Sequence, residues 1–254
     1  MNVVWILAKN TFREIIRDRI LYGLIVFALL LVGFSLALGQ LSFTEQARIS
    51  GNFGFAGIHI SSMVLAIFIG ASLVAKEIDK KTVMTLLVRP MSRLQFILGK
   101  CLGLTFVIST VILGLALVMY FVFLGLGLEV YPNFLKALWG ILLEAILLLG
   151  MAMFFSSFSR PMMVICFSLG IFFIGHWLNN LTYFSEQSES EGFKSIAEVI
   201  TSVFPNLERF NWRDQVLVEK FIPDDLILAT VYSFAWFSFC IVLTSFIFRR
   251  KDFG

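Results

Sequence analysis

The 254-residue chain is poor in the residues from which soluble enzymes build their sites. It holds two His, three Cys and five Pro, and only 15% of its residues are charged. Cys101, Cys166 and Cys240 fall in or beside apolar runs, so neither a CxxC pair nor a disulfide framework is available. HExxH and GxSxG do not occur, which removes two common hydrolase signatures. A phosphate-binding loop is missing as well. Gly99-Lys100 is followed by Cys101 where Ser or Thr is needed, and Leu94 stands in place of the first glycine. With two histidines and almost no carboxylates inside the apolar runs, no metal site within one chain is expected.

What the chain has in excess is apolar length. Hydrophobic residues make up 59% of it, 29 of them Phe, and the mean hydropathy is +0.90. These values lie outside the range of soluble globular domains. Six runs, near 20–39, 58–75, 98–125, 135–156, 162–183 and 226–248, each approximate the roughly 20 residues that cross a bilayer as helix. The expected fold is all-α: one polytopic membrane domain over 1–254 with six transmembrane helices. The 58–75 run is the shortest and carries Ser61, Ser62 and Gly70.

Orientation follows from Lys and Arg. Fourteen of the 20 basic residues fall at the chain ends, between the second and third runs, or between the fourth and fifth. That asymmetry predicts two cytoplasmic termini in a bacterial-type inner membrane, and it makes the net charge of +3 a topology signal. No nucleic-acid partner is expected.

Residues 1–19 repeat with a helical period. Trp5, Ala8, Phe12, Ile15 and Ile16 share one face, with Lys9, Arg13, Glu14 and Arg17 on the other. Such a helix suits the lipid interface, its polar face toward headgroups or a cytoplasmic partner. Residues 184–225 form the largest segment outside the runs, expected as surface helices on the span ends. The SFSRP turn at 157–161 predicts a tight antiparallel pair, with Pro161 in the first turn of its helix.

Glu144 is the only acidic residue deep in a run. An intramembrane carboxylate is costly, so it is either a functional site, a hydrogen-bonded contact with a neighbouring helix, or a contact with a second copy. His176 joins it as a candidate intramembrane polar site, although its neighbours Trp177, Asn179 and Asn180 also fit an interfacial belt. His59 reads as packing.

The densest information lies in the charged island from Lys76 to Lys100. Residues 80–88 can make two helical turns with Val83, Met84, Leu86 and Leu87 apolar. Pro90 ends them, because Arg89 is biased away from helical dihedrals by the ring that follows. Ser92 and Gln95 then match a capping box that restarts a helix.

These residues resemble the permease subunit of ABC-2 type transporters, including the NosY-like members. The matching positions are Glu77 after the second span, Thr82, the pair Leu86 and Leu87, Pro90, Ser92-Arg93, and Gly99-Lys100 opening the third. Lys81 stands where many members have Gly. The resemblance implies a transport subunit with no ATPase motif or cofactor of its own, working with separate ABC ATPase subunits that bind ATP and Mg. It further implies a second permease copy or homologue beside it in the lipid bilayer, and export or force transmission to an external partner. Residues 80–88 would be the coupling helix. Lys80, Lys81, Arg89 and Arg93 would rim a cleft on the ATPase that buries Met84, Leu86 and Leu87. The alternative is a stand-alone intramembrane enzyme or a membrane scaffold.

Overall fold

The computed structural model describes residues 3–40, 45–79, 92–217 and 226–250. Every regular element among them is helical: α1 (Val3–Ile16), α2 (Arg19–Gln40), α3 (Gln46–Asp79), α4 (Arg93–Gly125), α5 (Asn133–Ser156), α6 (Pro161–Gln187), α7 (Glu191–Val203) and α8 (Leu226–Arg250). Two short 3-10 turns, Glu208–Phe210 and Arg213–Gln215, lie between α7 and α8. Six helices (α2 to α6, and α8) contain apolar stretches long enough to cross a membrane. The six-span all-α architecture read from the sequence is the one observed.

The six are not equivalent. In α3 and α5, 72% and 78% of the apolar window is buried by protein, against 22–39% in the other four. The bundle is therefore a central pair with α2, α4, α6 and α8 around it, and these outer helices expose Leu, Phe, Val and Ile where lipid would lie. This explains why α3 begins at Gln46, a dozen residues before the apolar run suggested. A helix sheathed by protein need not satisfy a lipid criterion, and Ser50, His59, Ser61 and Ser62 are all buried along it.

Local signals set the helix ends. Ser92 caps α4 through the expected box: its Oγ accepts from the Gln95 N–H at 3.2 Å, and Gln95 Oε1 accepts from the Ser92 N–H at 3.0 Å. Pro161 opens α6 directly after the Ser157–Arg160 turn, as the tight connection required.

Helix α1 packs on protein. Leu7, Ala8, Thr11 and Ile15 are its buried residues, and they dock on α4. There, a Cβ at Gly103 would stand 2.7 Å from the Ala8 carbonyl oxygen. Trp5, on the apolar face expected at the lipid interface, is 53% exposed and meets Phe106 edge-on at 5.8 Å. Glu14 lies 3.7 Å from Lys100 Nζ, while Arg13 and Arg17 are exposed.

The segment after α7 departs from expectation. Helix α7 itself is the anticipated amphipathic surface helix, but residues 205–217 turn inward between α5, α6 and α8. Pro205, Leu207, Phe210, Trp212 and Val216 are buried. Leu207 N–H donates to the Gly175 carbonyl at 3.1 Å, and Asn206 N–H donates to Tyr232 Oη at 2.9 Å. Two glycines admit this backbone. A Cβ on Gly175 would meet the Pro205 oxygen at 2.8 Å, and one on Gly140 would collide with the Phe210 carbonyl. Non-helical backbone inside a span bundle is tolerated only where protein covers it, and here it is covered.

Candidate functional site

Four chemically active side chains from four elements meet inside the bundle. Glu144 sits at the middle of α5, roughly 16–18 Å from either end at 1.5 Å per residue. It is 2% exposed. His59 of α3 brings its Nε2 to 2.8 Å from Glu144 Oε2, and is itself 3% exposed. His176 of α6 places its Nε2 3.6 Å from Glu144 Oε1. From the inward-turning segment, Arg213 donates through a terminal nitrogen to His59 Nδ1 at 2.6 Å.

The hydrogen bonds determine one another. A guanidinium can only donate, so His59 Nδ1 accepts and its single ring proton sits on Nε2, where it is donated to Glu144. His176 Nδ1 lies 3.1 Å from the Phe172 carbonyl, which can only accept. In a neutral ring that proton assignment leaves Nε2 bare toward Glu144. Both Glu144 Oε1 and His176 Nε2 are buried without a hydrogen-bond partner.

The network continues toward the end of the bundle closed by α7. Arg213 Nε donates to Asn211 Oδ1 at 2.9 Å, and Asn211 Nδ2 donates to Glu208 Oε1 at 2.6 Å. Glu208, Asn211, Arg213, His59, Glu144 and His176 thus form one string. Its neighbours are aromatic: Phe172 stacks near His59 and His176, at 5.8 and 4.7 Å between ring centres.

Sequence reasoning selected Glu144 and His176, and the fold brings them together. It treated His59 as packing and counted Arg213 only as a charge outside the spans. One signal was present: both histidines of the chain and its one deep carboxylate lay in apolar runs, where each needs a partner. Pairing across 85 residues is invisible to helical periodicity. The expectation of no metal site rested on the two histidines and the near absence of carboxylates in the apolar runs. In the fold, ligand atoms of His59, Glu144 and His176 lie within 4.8 Å of one another, a donor set of the kind that divalent transition metals use.

The other expected positions fall elsewhere. Arg13 and Glu14 lie on α1 and Arg17 in the turn after it, remote in sequence and element from the centre. Glu77 is in the last turns of α3 and Arg93 opens α4, with their side chains outside the described set. Lys80, Lys81, Thr82, Val83, Met84, Leu86, Leu87, Arg89 and Pro90 lie outside the described residues.

Comparison with known families gives a match that spans nearly the whole chain. Residues 5–252 match the family described as ABC-2 family transporter protein. A comparison with curated proteins returned no match.

Proposed function

The chain belongs to the ABC-2 transporter family, and we propose that it is the permease subunit of a complex whose separate ATPase subunits drive export or transmembrane force transmission. The observation that carries this reading is the family match over residues 5–252. The six spans and the missing phosphate-binding loop agree with it, because a permease receives its energy from a partner that binds the nucleotide.

The proposed mechanism is mechanical. Residues 80–88 meet the ATPase from the cytoplasmic side, between the end of α3 and the start of α4. Met84, Leu86 and Leu87 enter a cleft and carry affinity, while Lys80, Lys81, Arg89 and Arg93 on its rim set approach and register. Closure of the ATPase pair on ATP displaces that connector, and α3 and α4 carry the displacement into the bundle. The capping box at Ser92 fixes where α4 begins, so the joint does not absorb the motion by fraying. A second permease copy or homologue completes the assembly. The NosY-like subtype rests on the island residues Glu77, Thr82, Pro90, Ser92 and Arg93.

The test is the charge-introducing substitution Met84→Asp, made in the complex as purified from membranes. Expected is normal membrane insertion with loss of ATPase co-purification and of permease-stimulated ATP hydrolysis. Wild-type association and hydrolysis in that variant would sink the assignment of residues 80–88. A lone purified chain that cleaves a bond catalytically would favour the intramembrane-enzyme alternative.

A further inference from the structure

We propose that the groove between α1, α2 and α4 is a binding site for one anionic phospholipid. Lys9 and Arg13 hold its phosphate, and one acyl chain lies along α4 from Phe106 to Val118.

The site begins with a cavity of about 400 Å³ between α1 and α4. Trp5, Phe12 and Phe106 make its lining apolar, and Lys9 and Arg13 are the charged residues in it. Four residues apart, they share one face of α1, about 6 Å from each other along the axis. No acidic residue lines the cavity. Glu14, next in sequence, lies 3.7 Å from Lys100. A second groove, of about 350 Å³, lies between Tyr22, Ile25 and Leu29 of α2 and Val107, Gly114 and Val118 of α4. It is lined by no charged residue. Thr110 lines both spaces, so the two are continuous. Its hydroxyl donates to the Phe106 carbonyl at 2.8 Å, which leaves no free donor at the junction. A Cβ on Gly114 would meet nothing within 4 Å, so the groove is open there.

Depth identifies the occupant. Helix α4 has 33 residues and is about 49 Å long, whereas hydrocarbon about 30 Å thick takes about 20 residues. Counted back from Gly125, the hydrocarbon starts near Phe106, and the first turns of α4, with Lys100, project beyond it. Lys9 and Arg13 therefore stand at headgroup level, where the exposed Trp5 ring also belongs. From Phe106 to Val118 the helix rises roughly 18 Å, against roughly 15 Å for the hydrocarbon of one leaflet. The groove thus runs the depth of one leaflet, with its positive end at the surface. Tyr22, Leu29 and Val118 are exposed on the lipid-facing side of the bundle, so a lipid enters sideways.

Both ends of the groove select. A soluble anion would satisfy only the charged end, and an uncharged chain only the apolar end. A zwitterionic headgroup would bring a second cation beside Lys9 and Arg13. An anionic phospholipid matches both: the Arg13 guanidinium offers paired N–H donors to phosphate oxygens, and Lys9 adds a point charge. Near a membrane surface each such residue favours an anionic lipid by about fivefold.

Native mass spectrometry tests this on the full-length protein, purified in detergent and stripped of lipid, with phosphatidylglycerol and phosphatidylcholine of identical chains. The first phosphatidylglycerol is expected to bind at least about tenfold more tightly than the first phosphatidylcholine. The double variant Lys9→Gln, Arg13→Gln should bring the two lipids within about threefold of each other. Arg48→Gln removes an exposed basic side chain from α3 and should keep the parent preference. Gly114→Leu fills open groove and leaves both basic residues in place, and it should weaken the first phosphatidylglycerol at least about fivefold. Glycerol phosphate, the headgroup chemistry without chains, should fail to displace the lipid even in large excess. The proposal is overturned if the parent binds the two lipids alike, or if the double variant keeps the preference. It is equally overturned if Arg48→Gln loses the preference as fully as the double variant, if Gly114→Leu binds phosphatidylglycerol like the parent, or if glycerol phosphate displaces it.

Discussion

Gly175→Ala is a one-carbon change whose sign depends on the inward-turning segment. Inside a helix, Ala is favoured over Gly by about 1 kcal/mol, so propensity alone makes the variant more stable. The structure opposes that gain. The new Cβ would stand 2.6 Å from Leu207 Cγ and 2.8 Å from the Pro205 oxygen, where ordinary contact starts at 3.4 Å. Leu207 is completely buried and cannot swing aside. The segment must retreat by about 0.6–0.8 Å, which stretches the Leu207 N–H to Gly175 hydrogen bond from 3.1 Å past the useful limit. Overpacking costs about 1–3 kcal/mol and the lost hydrogen bond about 1 kcal/mol more. These outweigh the propensity gain, for a net loss of roughly 1–3 kcal/mol. Gly170→Ala on the same helix is the control, because a Cβ there meets nothing within 4 Å. It should be neutral or stabilising by up to about 1 kcal/mol. Reversible SDS denaturation of the two purified variants gives both values. If Gly175→Ala matches Gly170→Ala, the segment does not pack against α6 and its delivery of Arg213 is wrong.

Other expectations are simpler. Arg213→Lys should recover only part of what Arg213→Met loses in stability, because one ammonium cannot span the Asn211 and His59 acceptors held at 2.9 and 2.6 Å by the guanidinium. The Met variant should lose about 1–3 kcal/mol by the same denaturation assay. Ser92→Ala should cost about 1 kcal/mol and speed hydrogen exchange at the Gln95 amide, leaving amides in the middle of α4 unaffected. Gly103→Leu should push α1 off α4, read as a change in Trp5 fluorescence as its edge contact with Phe106 is lost.

Lipid-facing helices were the legible part of this sequence. Helices α2, α4, α6 and α8 announce themselves because a surface in contact with hydrocarbon must be apolar along its length. The start of α3 was hidden for the opposite reason: protein covers Ser50, Gly51, Gly54, Phe55 and Gly57 along one side of Gln46–Gly57, and Ser50 and the glycines there carry no hydropathy signal. Ser92 and Pro161 were readable because capping and ring chemistry act within four residues. The polar centre was half readable. Glu144 stood out as a cost without a visible compensation, yet its compensation comes from His59, His176 and Arg213 on three other elements. The path of residues 205–217 had no local signature either. It is set by Gly140 and Gly175, whose missing side chains matter only once another backbone lies against them.

The continuity of α3 joins two regions that the chain keeps far apart. From His59 to Asp79 the helix runs 20 residues without a break or a proline, about 30 Å at 1.5 Å per residue. A torsion rod of that kind conveys twist as readily as push. With side chains reaching some 5–6 Å from the axis, turning α3 by about 20° sweeps the His59 ring through roughly 2 Å. That is enough to part its 2.8 Å hydrogen bond to Glu144. A turn applied at the Asp79 end would therefore be felt as a change of partner at the buried carboxylate, with no other helix needing to move.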